Sequence, residues 1–132
     1  MGKFTTIEKQ GRVAVVRFDR GDKLNALSDA VMRELTEVAR SFEDDLETSA
    51  IVLTGADKFF SAGADLTDSA LVERNKKGLM ARRHALKVGP DMCDAWERLE
   101  QITICAVEGF CIGGGSALAA SCDIRVAGTS AY

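Results

Sequence analysis

Three observations predict an α/β fold. Short runs of β-forming residues recur along the chain, segments with apolar residues at helical spacing lie between them, and glycine-bearing loops follow the strand-like runs. Strands that alternate with helices in this way build a sheet whose faces the helices cover. At 132 residues the chain amounts to at most one domain with a moderate core.

The elements follow in order. Residues 4–8 and 12–18 are rich in β-formers and flank Gln10-Gly11, the signature of a hairpin. After the loop of residues 19–25, Ser28 is placed to cap a helix, with Asp29 in its first turn. Val31, Leu35, Val38, Phe42 and Leu46 then recur at helical spacing, with Glu34, Glu37 and Arg40 on the outward face. Residues 50–54 form a short apolar run ending at Gly55 and read as a buried strand. Residues 68–87 read as helical, Gly89-Pro90 as a break, and Met92, Trp96 and Leu99 as one face of the next helix. Residues 103–107 form another buried strand. The glycine triplet opens a helix running to about Ser121, and residues 123–127 make a last strand, after which the chain is expected to be interrupted rather than finished.

Composition narrows the function classes. A hydrophobic fraction of 46%, a charged fraction of 28% and a net charge of −3 describe an ordinary globular protein with no basic excess for nucleic acid or acidic membranes. One local exception is the set Arg74, Lys76, Lys77, Arg82, Arg83 and Lys87, which reads as a solvated helix face that an anionic ligand could also use. Four cysteines without a C-x-x-C pair, and His84 as the single histidine, make a poor zinc set, so no metal is expected. Cys105, Cys111 and Cys122 are expected to be buried, reduced thiols. The stretch Met1-Gly2-Lys3-Phe4-Thr5-Thr6 has no continuous apolar core, so cytoplasmic residence is expected. Gly2 and Thr6 match the short myristoylation pattern, which is too common to be given weight.

The chemistry lies in two glycine-bearing loops. Residues 102–120 are long and apolar, but Glu108 and three adjacent glycines oppose a membrane helix, each glycine costing ~1 kcal/mol. Gly109, Gly113, Gly114 and Gly115 match neither a phosphate loop nor a dinucleotide fingerprint. Ser116 lacks the G-x-S-x-G context of a hydrolase nucleophile and reads as a helix-start residue. What remains is the pairing of Ser61-Ala62-Gly63-Ala64-Asp65 with Gly113-Gly114-Gly115, each beyond a strand. Small residues let a ligand approach the backbone, and two N–H groups aimed at one oxygen stabilise a developing oxyanion. Ala64 and Gly114 are the candidate donors.

Four ordered stretches carry a family resemblance: Arg20-Gly21-Asp22-Lys23-Leu24-Asn25-Ala26-Leu27, Phe60-Ser61-Ala62-Gly63-Ala64-Asp65-Leu66, residues 106–115, and Cys122-Asp123-Ile124-Arg125. Together they resemble the crotonase (enoyl-CoA hydratase/isomerase) family over nearly the whole chain. The resemblance implies a spiral of repeated ββα units and an acyl-CoA thioester as substrate, with coenzyme A as part of that substrate and no separate cofactor. It implies an oxyanion hole from the Ala64 and Gly114 N–H groups, and substrate contacts along Lys23, Leu24, Ala26, Ala62, Gly63, Asp65 and Leu66. Residues 1–132 then correspond to the N-terminal part of such a domain, without the C-terminal helices that complete the pocket. A trimer or hexamer is expected of a full-length parent, with neither nucleic-acid nor membrane partners.

Departures from the family pattern affect the reaction. Gly21, Glu108 and Ile102 stand where the family often has Pro, Asn and Pro. Ala117 stands where hydratases of the family place one of two catalytic glutamates, and the other acid is expected beyond Tyr132. Water addition uses paired carboxylates, so double-bond isomerisation by a single base is favoured. The alternative is a non-catalytic acyl-CoA-binding or assembly protein on this scaffold, and the chain by itself is expected to be inactive.

Overall fold

The computed structural model describes residues 2–132; Met1, the first residue of the N-terminal stretch considered above, lies outside them. The elements are β1 (Thr5–Gln10), β2 (Val13–Phe18), α1 (Asp29–Ser41), β3 (Ala50–Thr54), α2 (Ser69–Lys76), α3 (Leu79–Ala85), α4 (Val88–Glu97), β4 (Ile102–Val107), α5 (Gly114–Ala120) and β5 (Ile124–Ala127). All five strands form one sheet in sequence order. β1 and β2 pair antiparallel around Gly11, whose φ of 61° suits the tight turn. The remaining neighbours pair parallel, with Val15, Val52, Ile104 and Ile124 in register across the sheet.

Alternation along the strands decides which face is covered. Ala14, Val16 and Phe18, then Ile51 and Leu53, then Thr103, Cys105 and Val107 are all buried. All but the polar Thr103 join Leu35, Met92, Trp96 and Leu118 from the helices in one core. Trp96 is fully buried and its indole N–H donates to the Leu35 carbonyl at 3.1 Å, satisfying its one polar atom. The opposite face is only partly covered: Ile102, Ile124 and Val126 are exposed. β3 and β4 are therefore buried on one side rather than both.

Several local expectations are corrected. The first helix ends at Ser41, and Leu46 is 88% exposed. Asp45 accepts hydrogen bonds from Glu47 N–H, Thr48 N–H and the Thr48 hydroxyl, which fold the chain into a turn there instead. Glu34 does not face open water; it accepts from the N–H groups of Lys3, Phe4 and Thr5 and from the Thr5 hydroxyl, fastening the N-terminal strand to α1. The expected helix over residues 68–87 is two helices, separated at Gly78, whose φ is 97°. Gly89-Pro90 is no break: both lie in the first turn of α4, where proline lacks only a donor that the helix would leave unpaired. Cys105 and Cys122 are buried free thiols, whereas Cys111 is half-buried. In the α2–α3 basic run, Arg74 is an ion-pair partner of Asp29, and Lys76 pairs with Glu73.

Candidate functional site

The site is assembled where the loops after β2, β3 and β4 meet. Lys23, Leu24 and Asn25 form one turn with all three residues at positive φ (47°, 53° and 56°). Such a run is costly for side-chain-bearing residues, and the surroundings hold it in place. Asn25 is buried; its amide donates to the Phe18 carbonyl at 3.0 Å and the Phe60 carbonyl at 2.9 Å, and its side-chain oxygen accepts from Arg20 N–H at 3.0 Å. Ala62 N–H donates to the Leu24 carbonyl at 3.1 Å, tying the second loop to this turn.

Two short β-bridges bring the remaining loops together. Leu27 pairs with Ala64, through Leu27 N–H to the Gly63 carbonyl (2.7 Å) and Asp65 N–H to the Leu27 carbonyl (2.9 Å). Ser61 pairs with Cys111, through Ser61 N–H to the Phe110 carbonyl (2.8 Å) and Ile112 N–H to the Ser61 carbonyl (3.0 Å). The approach is close enough to require glycine at Gly63, where φ is 91° and a Cβ would lie 2.8 Å from the Ile112 carbonyl oxygen. The same Cβ would lie 3.4 Å from Gly114 N, and a Cβ on Gly114 would lie 3.7 Å from Ala64 N. The two candidate donor nitrogens thus lie close together where the loops meet. Among the described residues, neither Ala64 N–H nor Gly114 N–H has an acceptor, and the same holds for Gly113 N–H, whereas the Gly63, Asp65 and Gly115 N–H groups each have one. Ala64 is exposed and Gly114 half-buried, so both are open to a ligand.

The other predicted contacts are distributed around this point. Gly63 and Asp65 are buried and Ala62 is half-buried, while Leu66 is 81% exposed. Ala26 is buried, and its carbonyl accepts from Arg20. Asp65 accepts from Arg20 (2.9 Å) and Lys23 (3.2 Å) on one oxygen and from the Thr67 N–H and hydroxyl on the other. Burial pushes its carboxyl up, but the hydrogen bonds from Thr67, Arg20 and Lys23 outweigh that and hold it well below the usual carboxylate range. Leu24 is partly exposed and, with Lys23, lines an open groove of about 440 Å³ whose far side is Asp57, Lys58 and Phe59.

An apolar cavity of about 260 Å³ opens beside Ala64, walled by Leu27, Met32, Leu66, Leu71, Ala85 and Leu86. Of these walls only Leu66 was singled out as a substrate contact from sequence; Met32, Leu71, Ala85 and Leu86 come from or flank separate helices. Three carboxylates border it, and each is engaged: Asp29 with Arg33 and Arg74, Asp65 as described, and Asp68 with Asp29 N–H and Ala70 N–H. Ala117 is exposed one turn beyond Gly114, its N–H bonded to the Gly113 carbonyl.

A five-stranded mixed sheet with flanking helices fits the crotonase resemblance of the four stretches, and an apolar cavity opens beside Ala64. The comparisons with known proteins agree. The profile of the enoyl-CoA hydratase/isomerase family matches residues 8–132. The chain is 39% identical over 129 residues to a short-chain-enoyl-CoA hydratase of Clostridium acetobutylicum, covering 95% of this chain and 46% of that protein. It is 36% identical over 136 residues to a mitochondrial enoyl-CoA hydratase of Pongo abelii, covering 98% and 43%. The crystal structure of an enoyl-CoA hydratase/isomerase from Marinobacter aquaeolei superposes with a TM-score of 0.89 at 28% identity, over 98% of this chain and 50% of that one. The chain belongs to the enoyl-CoA hydratase/isomerase family. It spans about half the length of the curated relatives it matches.

Proposed function

We propose that this chain supplies the thioester-recognition half of an acyl-CoA enzyme, in which the Ala64 and Gly114 N–H groups hold the thioester oxygen while charge develops on it. The observation that carries this reading is that the Ala64 and Gly114 nitrogens lie close together and neither N–H has an acceptor. Two fixed backbone donors favour an enolate over the neutral thioester because their dipoles are already oriented when charge appears, each contributing ~3 kcal/mol. The apolar cavity beside Ala64 takes the acyl chain. The groove containing Lys23 and Leu24 takes the coenzyme A moiety, whose phosphates suit the lysines at its two sides. Trimeric or hexameric assembly and cytoplasmic residence belong to the same reading.

For the reaction itself, one-base isomerisation of an enoyl-CoA is favoured over hydration. Hydration requires two carboxylates around a water; Ala117 offers none, and the three carboxylates at the cavity are committed to cations or backbone N–H groups. The base is then supplied from outside the described residues, and the chain alone binds without turning over. That same lack of a free carboxylate favours the second reading, an acyl-CoA-binding or assembly protein without catalysis. The full-length parent, assayed with crotonyl-CoA and with a 3-enoyl-CoA, separates these. Isomerisation without appreciable hydration is expected; stoichiometric hydration refutes the one-base reading, and binding without either reaction supports the second.

A further inference from the structure

Ser61 is fully buried, lies between the two donor loops and touches both. Its hydroxyl donates to the Asn25 carbonyl at 2.8 Å and accepts from Gly63 N–H at 3.1 Å. Its backbone forms the bridge to Phe110 and Ile112. Its Cβ packs beneath the first turn of α5, where a Cβ on Gly115 would come within 2.9 Å of it. One side therefore meets the residue before Ala64, and the other meets the residue after Gly114.

We propose that Ser61, seated on the Asn25 carbonyl, is the positioning residue that sets the spacing and aim of the Ala64 and Gly114 N–H groups. The proposal rests on the reading of those groups as thioester donors. Ala64 N–H belongs to the Gly63–Ala64 peptide. Its plane is held on one side by the Gly63 carbonyl, which accepts from Leu27 N–H. On the other side stands the Gly63 N–H, and glycine at a φ of 91° offers no side chain to restrict its rotation. The Ser61 hydroxyl is what fixes that N–H. Asn25 in turn cannot drift, because its amide is fastened to the ends of two separate chain segments at Phe18 and Phe60. Loss of the hydroxyl leaves Gly63 N–H and the Asn25 carbonyl without their partner in a buried place, and the cheapest relief is rotation of the peptide next to Ala64. The bridge to Phe110 and Ile112 is made by backbone and survives, so the fold is retained while the donors lose alignment.

The test compares two ligands that differ only at the carbonyl: butyryl-CoA, a thioester, and S-butyl-CoA, its thioether. Calorimetric titration of the chain is expected to show a preference for the thioester, and Ser61→Ala is expected to reduce that preference about tenfold, roughly the loss of one well-made hydrogen bond. Thioether affinity is expected to stay unchanged. Ser61→Cys, which keeps a weak donor and acceptor, is expected to retain part of the preference, and it carries the test if the alanine variant fails to fold. Equal losses for both ligands, or an unchanged preference, overturn the proposal by making Ser61 merely structural or irrelevant. If the unaltered chain binds both ligands equally, the donor reading itself fails; if it binds neither, the acyl-CoA reading fails. Both results also overturn the role of Ser61, but they are distinguishable from its own failure.

Discussion

Replacing Gly114 by alanine separates carbonyl recognition from folding more cleanly than any other single change at the site. Gly114 opens α5 without a positive φ, so alanine is conformationally allowed there. The added methyl would lie 3.3 Å from Leu27 Cδ1, a contact relieved by a shift of a few tenths of an ångström in a flexible side chain. Alanine is favoured over glycine in a helix by ~1 kcal/mol, and the tight contact offsets part of that, so stability is expected to change by less than about 1 kcal/mol. The methyl would also lie 3.7 Å from Ala64 N. An oxygen shared by the two N–H groups needs to be about 2.9 Å from each nitrogen, and the methyl stands against that position. A net hydrogen bond contributes ~1 kcal/mol, so a thioester held by two loses roughly ten- to thirtyfold in affinity. In the full-length parent, where charge develops, loss of one such donor costs about 10²–10³ in kcat. The assay is a urea titration of the variant beside calorimetric titrations with butyryl-CoA and S-butyl-CoA. Near-native stability with an unchanged thioester preference would refute the assignment of this space to the carbonyl oxygen.

Three further outcomes are expected. Gly63→Ala should behave opposite to Gly114→Ala, losing ~2 kcal/mol or more in a urea titration, because its φ of 91° and a Cβ 2.8 Å from the Ile112 carbonyl leave no room for relief. Asp65→Asn should flatten the acid limb of the stability curve. The folded pKa of Asp65 lies below its unfolded value, so its stabilisation is present above about pH 4 and vanishes as pH falls through the folded pKa; the variant should be weaker than the parent at pH 7, the two converging in acid. Ala85→Phe should fill the cavity beside Ala64 and abolish the affinity gained on lengthening the acyl chain, while acetyl-CoA binding persists, as a titration series from two to eight acyl carbons would show.

What was legible in the sequence was whatever sterics impose locally. Positive φ forces glycine at Gly63 and Gly113, and close approach to backbone forces it at Gly63 and Gly115, so the two glycine-bearing loops could be found without the fold. The strands and α1 were legible because burial imposes a period. Failures occurred where a distant partner decided the outcome. Glu34 has the spacing of a solvent-facing residue, and only the return of the N-terminal strand, 29 to 31 positions away, gives its carboxylate three backbone donors. Pro90 looks like a break until the helix is known to begin at Val88, which places it in the one turn that tolerates it. The cavity beside Ala64 was invisible for the same reason: Met32, Leu71, Ala85 and Leu86 read as ordinary helix positions, and their convergence depends on how α1 to α4 pack.

The donors proposed above carry no side-chain chemistry, and on that proposal the control of the site lies elsewhere. A backbone N–H has no identity that a substitution can remove; it can only be moved or blocked. Its aim is therefore a property of whatever holds its peptide plane, and the proposed holder is the buried polar chain from Phe18 through Asn25 and Ser61 to Gly63. Phe60 is where this chain meets the core: its ring packs edge-on to Phe18 at 5.3 Å, its N–H donates to the Glu108 carbonyl, and its own carbonyl accepts from Asn25. Truncation at Phe60 consequently loosens the fold and the donors together, and no assay on such a variant can distinguish them. At Ser61 and Gly114 the two separate, because each alters the donor geometry while leaving the sheet, the β-bridges and the aromatic pair in place.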